Sequence, residues 1–192
     1  MTGYYDGKLL VAPPTMRDRR FARSVVYIWK HDVSGACGTI INRPLEEPTF
    51  EHVCTESKIP CVAGVDPTLF WGGPVMENIV GCLHTLDYNI STTNTHSEHL
   101  GFTMDRTVIN DVALGRGPEN CIITMGMATW DSGQLEEELM APPPRSRNES
   151  WLILDYDPNL IWHGENDELW TACVNMAAAQ HSREFTSKLL RD

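Results

Sequence analysis

The order of the apolar segments constrains the fold of this chain more than any other feature of its sequence. Short β-branched and aromatic segments, typical of strands, alternate with segments of helical periodicity, but not in the regular strand-helix-strand order of a parallel sheet. Residues 24–29 and 36–42 are both strand-like, and the turn-forming residues 31–35 between them predict a β-hairpin. The irregular order therefore favours an α+β fold over a doubly wound sheet.

Further elements follow from the same patterns. Strands are predicted over residues 8–12, 68–71, 79–86, 120–127 and 151–154. Helices are predicted over residues 50–57, 106–114, 132–140 and from about residue 166 onward. Thr49 and Asp105 precede the first two helices and can cap them, and Gly115 ends the second. The polar residues 87–99 are predicted to form a loop.

Length and composition predict one folded domain over residues 1–192. The 192 residues are 42% hydrophobic and 21% charged, which is enough apolar surface for a core and excludes general disorder. No shift in composition divides the chain, and residues 142–148, which begin with three prolines, are the best candidate for a linker or an insertion. The arginines at positions 145 and 147 lie in that segment.

The cysteines and the absence of long apolar runs bear on the compartment. Six cysteines are unevenly spaced, and several lie within apolar segments, as is typical of buried, reduced thiols. The sequence has no signal-peptide pattern at its start and no apolar run of about 18 residues. These features predict a cytoplasmic protein without membrane spans.

Charge is distributed unevenly along this acidic chain. The formal net charge is −11, which argues against indiscriminate nucleic-acid binding because phosphate backbones repel such a protein. Residues 1–43 nevertheless contain seven Lys or Arg against three Asp, so this segment is positive and the remainder is strongly negative. The asymmetry is consistent with a docking surface for an anionic ligand, and equally with solvated loops and internal ion pairs.

Most catalytic and cofactor motifs are absent from the sequence. It contains no phosphate-binding glycine loop, no nucleophile elbow, no H-E-x-x-H and no paired C-x-x-C. Possible zinc ligands are scattered over His52, Cys54, Cys61, Cys82 and His84, but buried thiols and ordinary histidines are the favoured interpretation. We therefore predict no metal and no cofactor.

Two tryptophans and three glutamates can be explained by structural roles. Trp71 and Trp130 lie beside glycine-containing turns, so of the tryptophans these two are the candidates for partial exposure, although core packing is the favoured interpretation for them too. The three glutamates at positions 136–138 follow the start of a short helix, where the helix dipole favours carboxylates.

Several motifs together resemble the AlgH/YqgE family of bacterial proteins, which are often labelled transcriptional regulators. The resemblance rests on GKLLVAPPTM at residues 7–16, RFARSVVYI at 20–28, GACGTIINRP at 35–44, WGGPV at 71–75, GRGP at 115–118 and WDSGQLEEEL at 130–139. It implies a mixed, bifurcated β-sheet that curls into a pseudo-barrel with flanking helices. It implies no settled activity, and the sequence contains no helix-turn-helix with a basic recognition face.

These observations favour a non-enzymatic regulatory or adaptor protein that binds a protein partner or a small anionic ligand. Two of the motif segments, at residues 42–44 and at the turn beside Trp71, follow predicted strands, where binding residues concentrate on loops. The candidate binding residues are Arg20, Asn42, Arg43, Trp71, Gly72, Gly73, Pro74 and His84. Arg43 has two possible roles, because a guanidinium can grip a carboxylate or phosphate bidentately and can equally cap backbone carbonyls.

Two alternatives belong to other functional classes. One is a hydrolase built on His84 with a nearby carboxylate such as Asp87 or Glu98, which requires the imidazole and the carboxylate to meet in a cleft. The other is a transcriptional regulator that contacts DNA directly, which predicts binding that weakens with salt.

Overall fold

A computed structural model describes residues 4–140, 150–163 and 166–189. The strands are β1 Lys8–Val11, β2 Val25–Asp32, β3 Gly35–Ile40, β4 Leu69–Trp71, β5 Val75–Thr85, β6 Leu100–Thr103, β7 Cys121–Asp131 and β8 Leu152–Asp155. The helices are α1 Phe50–Glu56, α2 Arg106–Ala113, α3 Gln134–Met140, α4 Pro158–His163 and α5 Asn166–Leu189. The proposed linker over residues 142–148 lies outside the described residues.

The strands form one mixed, curled sheet with the order β6-β5-β7-β3-β2-β1-β8. Neighbouring strands on this path are antiparallel, and β4 pairs with β7 in parallel. The predicted hairpin is confirmed, since β2 and β3 pair in antiparallel register from Val26↔Ile40 to Asp32↔Gly35. The α+β class predicted from the order of the segments is therefore confirmed.

The sheet bifurcates at β7, because this strand has different neighbours along its length. Its first half lies between β5 and β4, whereas its last residues pair with β3 in the register Gly35↔Asp131 to Gly38↔Ala128. A backbone hydrogen bond of 2.9 Å from the Ile40 amide to the Gly72 carbonyl joins the end of β3 to the end of β4. The fork brings the loops after β3 and β4 together.

The predicted helix caps are confirmed. The Thr49 hydroxyl accepts from the backbone amide of His52 at 3.1 Å at the start of α1. The Asp105 carboxylate accepts from the amide of Thr107 at 2.8 Å at the start of α2, and Gly115 follows that helix with a φ of +68°. These signals are local, so they can be read without knowledge of the tertiary structure.

Two elements and the bounds of some strands differ from the sequence predictions. β6 and α4 were not expected, and β7 continues four residues beyond its predicted end. Trp130 is buried, with 5% of its surface exposed, because it packs against Trp151 and Phe21 rather than standing free beside its turn. Core packing, which was the favoured interpretation for Trp130, is therefore what the structure shows, and partial exposure is not. Among the described residues, no helix is both long and apolar enough to cross a membrane.

Candidate functional site

The loop between β1 and β2 carries the basic residues that the charge asymmetry indicated. Within residues 13–24, here called the arginine loop, four arginines are exposed: Arg17, Arg19, Arg20 and Arg23. Asp18 is the one acidic residue of this loop. The loop therefore presents a positive surface on a chain whose net charge is strongly negative.

Arg20 and Asp18 form an exposed bidentate ion pair. The Arg20 Nη2 lies 2.7 Å from Asp18 Oδ2, its Nε lies 3.1 Å from Oδ1, and its backbone amide donates to the same Oδ1 at 2.9 Å. The hydrogen bond from Arg20 holds the pKa of the Asp18 carboxyl below its usual value, and in return Asp18 raises the pKa of Arg20. In the described residues, Arg20 Nη1 has no hydrogen-bond acceptor, so this nitrogen can donate to a ligand.

Arg43 and Asn42 hold the arginine loop in one conformation. The Arg43 guanidinium donates to the carbonyl of Arg20 at 2.6 Å and to the carbonyl of Ala22. Asn42 donates from its side-chain amide to the carbonyl of Arg23 at 2.9 Å and accepts from the amide of Val25 at 2.8 Å. Of the two roles considered for Arg43, the structure therefore supports the capping of carbonyls. Burial lowers its pKa, but an arginine stays charged at any physiological pH.

The glycines of the WGGP motif permit close contact between backbones behind this loop. A Cβ on Gly72 would lie 2.2 Å from the carbonyl oxygen of Gly126, and a Cβ on Gly73 would lie 2.4 Å from the carbonyl of Met127. Gly73 also has a φ of +144°, which side chains disfavour. Trp71 lies under the Arg43 guanidinium, 5.3 Å from its ring centroid. These three residues position Arg43 and the fork of the sheet.

A cleft of about 340 Å³ opens between the arginine loop, the loop after β4, the end of β7 and α3. We call it the aromatic cleft. It is lined by Met16, Arg17, Asp18, Arg20, Phe21, Pro74, Val75, Thr129, Trp130, Gln134, Glu138 and Trp151. Three of these side chains are mutually packed rings, with Phe21 5.5 Å from Trp151 and Trp130 6.2 Å from Trp151 between centroids. The cleft thus places two arginines beside a cluster of three rings, of which Trp130 and Trp151 are buried and Phe21 is half-buried.

Glu138 organises the aromatic surface. Its Oε2 accepts from the indole nitrogens of both Trp130, at 3.1 Å, and Trp151, at 2.9 Å, while its Oε1 accepts from Gln134 Nε2 at 3.1 Å. One carboxylate therefore fixes the orientation of two rings that come from distant parts of the chain. The helix dipole, which we expected to explain residues 136–138, accounts for only part of the role of Glu138.

Glu136 has a different contact, although it lies on the same helix. Its Oε1 is 3.1 Å from Nε2 of the buried His31. The other ring nitrogen, Nδ1, accepts from the backbone amide of Tyr5 at 3.0 Å. The contact joins α3 to β2 and to the segment before β1.

His84 lies elsewhere, inside the sheet, and is completely buried. Its Nδ1 is 2.9 Å from the carbonyl of Thr85, and its Nε2 is 2.9 Å from the hydroxyl of Thr103, which in turn is 2.9 Å from the hydroxyl of Thr93. A carbonyl can only accept, so Nδ1 carries the proton and Nε2 accepts from Thr103. Burial lowers the pKa of His84, and both ring nitrogens are occupied. His84 has no solvent-accessible face to offer a substrate.

The scattered cysteines and histidines do not assemble into a metal site in the described part of the chain, where no group of three His, Cys, Asp or Glu is placed to hold an ion. All six cysteines are free thiols. Burial and a hydrogen bond with Cys121 keep the pKa of Cys82 above its usual value, so this thiol stays protonated.

The structure separates the predicted site residues into four groups. Arg20 and Pro74 line the aromatic cleft. Asn42 and Arg43 border a shallower cleft of about 270 Å³ on the other flank of the arginine loop, beside Arg23 and Trp170. Trp71, Gly72 and Gly73 support these loops from behind, and His84 is remote and buried. The arginines thus divide between two flanks of one loop instead of converging on a single cleft.

Sequence reasoning missed Phe21, Gln134, Glu138 and Trp151 as members of the cleft. Gln134 and Glu138 are four residues apart on α3 and so share a helix face, which is a readable signal. Nothing in the sequence indicates that this face meets Trp151, because residues 141–150 separate them along the chain.

The fold and the cleft define a class of protein: a single α+β domain whose curled, forked sheet is flanked by helices and carries a rigid basic loop beside an aromatic cleft. Residues 9–182 match the family model described as AlgH-like. The chain belongs to that family, as its motifs indicated.

Proteins that are similar in sequence or structure support this family assignment. A protein of Jannaschia sp. is 36% identical over 178 residues, which cover 91% of this chain and 88% of the relative, and one of Methylobacterium nodulans is 34% identical, covering 96% and 89%. Both are named only as UPF0301 proteins. The solution structure of the AlgH protein from Pseudomonas aeruginosa has a TM-score of 0.73 and 28% identity, covering 91% of this chain and 89% of that one. The likeness to that structure confirms the fold that the resemblance implied, a curled sheet with flanking helices.

Proposed function

We propose that this protein is a non-enzymatic regulatory or adaptor protein, and that it binds an anionic group of a protein partner in the aromatic cleft. The observation that carries the proposal is the convergence of Arg17 and Arg20 with three packed rings in one cleft of about 340 Å³. Arginine beside aromatic rings suits a ligand that carries a carboxylate or phosphate next to an apolar group.

The polar groups of the cleft support binding more than chemistry. Glu138, which could otherwise act as an acid or base, accepts from two indoles and from Gln134 and so has a positioning role. Asp18 is engaged by Arg20. The loop that carries the arginines is fixed by Arg43, so little conformational entropy is lost when a ligand binds.

We place this activity in the cytoplasm. The six free thiols support a reducing compartment, because secreted proteins of this size commonly form disulfides. A regulatory role in transcription would then be exercised through the bound partner. The hydrolase alternative has no support in the position of His84, which is fully buried.

Small anionic probes test the cleft directly. N-acetylphenylalanine, phenyl phosphate and the uncharged N-acetylphenylalanine amide are titrated against the protein, and the fluorescence of the cleft tryptophans is recorded. Arg20→Ala should weaken binding of the two anions about tenfold, because a charge-assisted hydrogen bond is lost. Arg116→Ala is the matched control, since Arg116 is equally exposed and paired with Asp111 but lies outside the cleft.

The same two variants test whether binding of a protein partner depends on Arg20. Cross-linking in host lysate should recover a partner with the wild type and with Arg116→Ala, and lose it with Arg20→Ala. Equal binding by the two variants in both assays contradicts the assignment of the site. Probe binding without a partner would restrict the function to that of a small-ligand sensor.

A further inference from the structure

The two edges of the sheet are protected differently. On β6, the outer edge is covered by Asn94, whose amide donates to Phe102 at 2.8 Å and whose carbonyl accepts from Phe102 at 3.0 Å. At the opposite edge, β8 pairs with β1 alone, in the register Lys8↔Asp155 to Val11↔Leu152. No backbone hydrogen bond within the described residues reaches the outer side of β8. An unpaired strand edge is a template for another strand.

Two clefts lie beside β8, one next to α3 and the other next to α5. A cleft of about 340 Å³ on the α3 side is lined by Tyr5, Glu136, Leu139, Met140, Trp151, Leu152 and Ile153. A second cleft, of about 560 Å³ on the α5 side, is lined by Leu154, Asp155, Tyr156, Asp157, Pro158, Met176, Ala179 and Gln180. Because side chains of an added strand alternate between the two faces of a sheet, each cleft can receive alternate residues of one extended peptide.

The rims of these clefts are apolar and exposed. Met140 on the α3 side is 67% exposed, and Met176 on the α5 side is 39% exposed. A large apolar side chain at the surface next to an unpaired strand edge is the arrangement expected of a peptide-binding surface. Methionine also adapts its shape to different apolar side chains.

The charged residues that border these two clefts indicate what kind of segment can bind there. Glu136, which also contacts the buried His31, borders the α3-side cleft, and Asp155 and Asp157 border the α5-side cleft. Lys8 is paired with Asp155, and the described residues that line the two clefts include no lysine or arginine. A second copy of this chain would bring the same carboxylates and the same net charge of −11 to the contact, so electrostatic repulsion disfavours pairing of two β8 strands. A basic segment has the opposite charge.

We propose that β8 binds an extended, basic and apolar segment of a partner protein by β-strand addition, with alternate side chains of that segment in the two flanking clefts. This surface is separate from the arginine side of the aromatic cleft, although Trp151 lines both clefts. The proposal does not depend on the proposed function, and the variant Arg20→Ala distinguishes the two: it should leave binding at β8 unchanged.

The test uses the full chain and a synthetic hexapeptide of valine and isoleucine flanked by lysines. Two comparison peptides carry glutamates in place of the lysines or methyl groups on alternate backbone nitrogens. Affinity is measured by fluorescence anisotropy, and hydrogen exchange monitored by NMR reports protection of the β8 amides. The lysine peptide should bind about tenfold more tightly than either comparison peptide and should slow exchange at the outward-facing amides of residues 152–155.

Two matched substitutions locate the contact. Met176→Lys places a positive charge on the rim and should weaken the lysine peptide about tenfold, whereas Met104→Lys, a similarly exposed methionine just beyond β6, should have no effect. Three results overturn the proposal: equal binding of the methylated peptide, protection of all β8 amides in the free monomer, or protection that depends on protein concentration. The second result means that the chain covers its own edge, and the third that a second copy does.

Discussion

Strand β7 connects two regions that look equally rich in chemistry in the sequence. Near its first residue, His84 pairs with Cys121 across the sheet and Cys82 lies close by, all three in or beside a dense apolar core. Near its end, Trp130 forms part of the aromatic cleft beside an exposed basic loop. Both regions contain titratable side chains in hydrogen bonds.

The difference between these two regions is solvent access. Both ring nitrogens of His84 are hydrogen-bonded inside the sheet, one to the carbonyl of Thr85 and the other to the hydroxyl of Thr103. Because Thr103 is in turn bonded to Thr93, His84 stabilises the loop that contains Thr93. Arg20 has a hydrogen-bond partner too, but it keeps donors for a ligand because it lies at the surface. Residue type alone therefore does not distinguish a structural histidine from an arginine proposed to bind a ligand, whereas the burial of the two side chains does.

The largest effect should come from the backbone contact behind the arginine loop. Gly72→Ala places a Cβ 2.2 Å from the carbonyl oxygen of Gly126, which neither strand can relieve without moving, and should lower the free energy of unfolding by more than about 3 kcal/mol. Gly64→Ala is the control, since its Cβ would meet no atom within 4 Å and the cost is limited to its φ of +87°, about 1 kcal/mol. Urea unfolding measures both. Similar losses for the two variants would mean that the fork of the sheet is more deformable than its geometry indicates.

A smaller loss is expected when the arginine loop is released from the sheet. Arg43→Met keeps apolar contact with Trp71 but removes the two bonds to the carbonyls of Arg20 and Ala22, so it should cost about 2 kcal/mol and should also weaken the anionic probes. Arg20→Ala should weaken the probes without a measurable change in unfolding. If Arg43→Met left probe affinity intact in a stable fold, the loop would not need its fixed conformation to bind.

The next effect tests the carboxylate that orients the cleft. Glu138→Gln removes the negative charge that strengthens the two indole bonds and puts an NH2 group, which cannot accept, opposite either Gln134 or the indoles, so we expect a loss of about 1–2 kcal/mol with a shift in tryptophan emission. Glu137→Gln, one residue earlier on the exposed face of α3, is the matched control and should change neither quantity. An unshifted emission spectrum for Glu138→Gln would show that the rings keep their orientation without the carboxylate.

The elements that sequence predicted well have local causes, and the ones it missed do not. Thr49 and Asp105 cap their own helices, so their neighbours in the sequence suffice to place those helices. β6 contains Gly101, which weakens a strand signal, yet a Cβ there would lie 2.8 Å from the His84 ring. That glycine is explained only by the packing of a residue distant in sequence.

The same division applies to the candidate site. Loop position and charge predicted Arg20 and Pro74 as residues of a binding surface, and both line the cleft. For Arg43 the sequence left ligand binding and carbonyl capping open, because a guanidinium binds carbonyls and carboxylates with the same atoms and sequence cannot tell which it will meet. Glu138 was missed for the related reason that its partner Trp151 is reached only through tertiary structure.

The smallest expected effect is a pH dependence of the free energy of unfolding, which tests the buried His84. Burial lowers the pKa of His84 in the folded protein below its unfolded value of about 6.5, so the unfolded state binds more protons in the range below that value. Stability from this residue is therefore fully present at neutral pH and is lost as the pH falls through about 6.5 toward the folded-state pKa. His84→Gln removes this titration, so its destabilisation relative to wild type should be largest near pH 7.5 and smaller near pH 5, as measured by urea unfolding. A gap between wild type and His84→Gln that is constant from pH 7.5 to 5 would mean that His84 accepts a proton inside the fold, and the contrast between a closed structural histidine and an open basic loop would then fail.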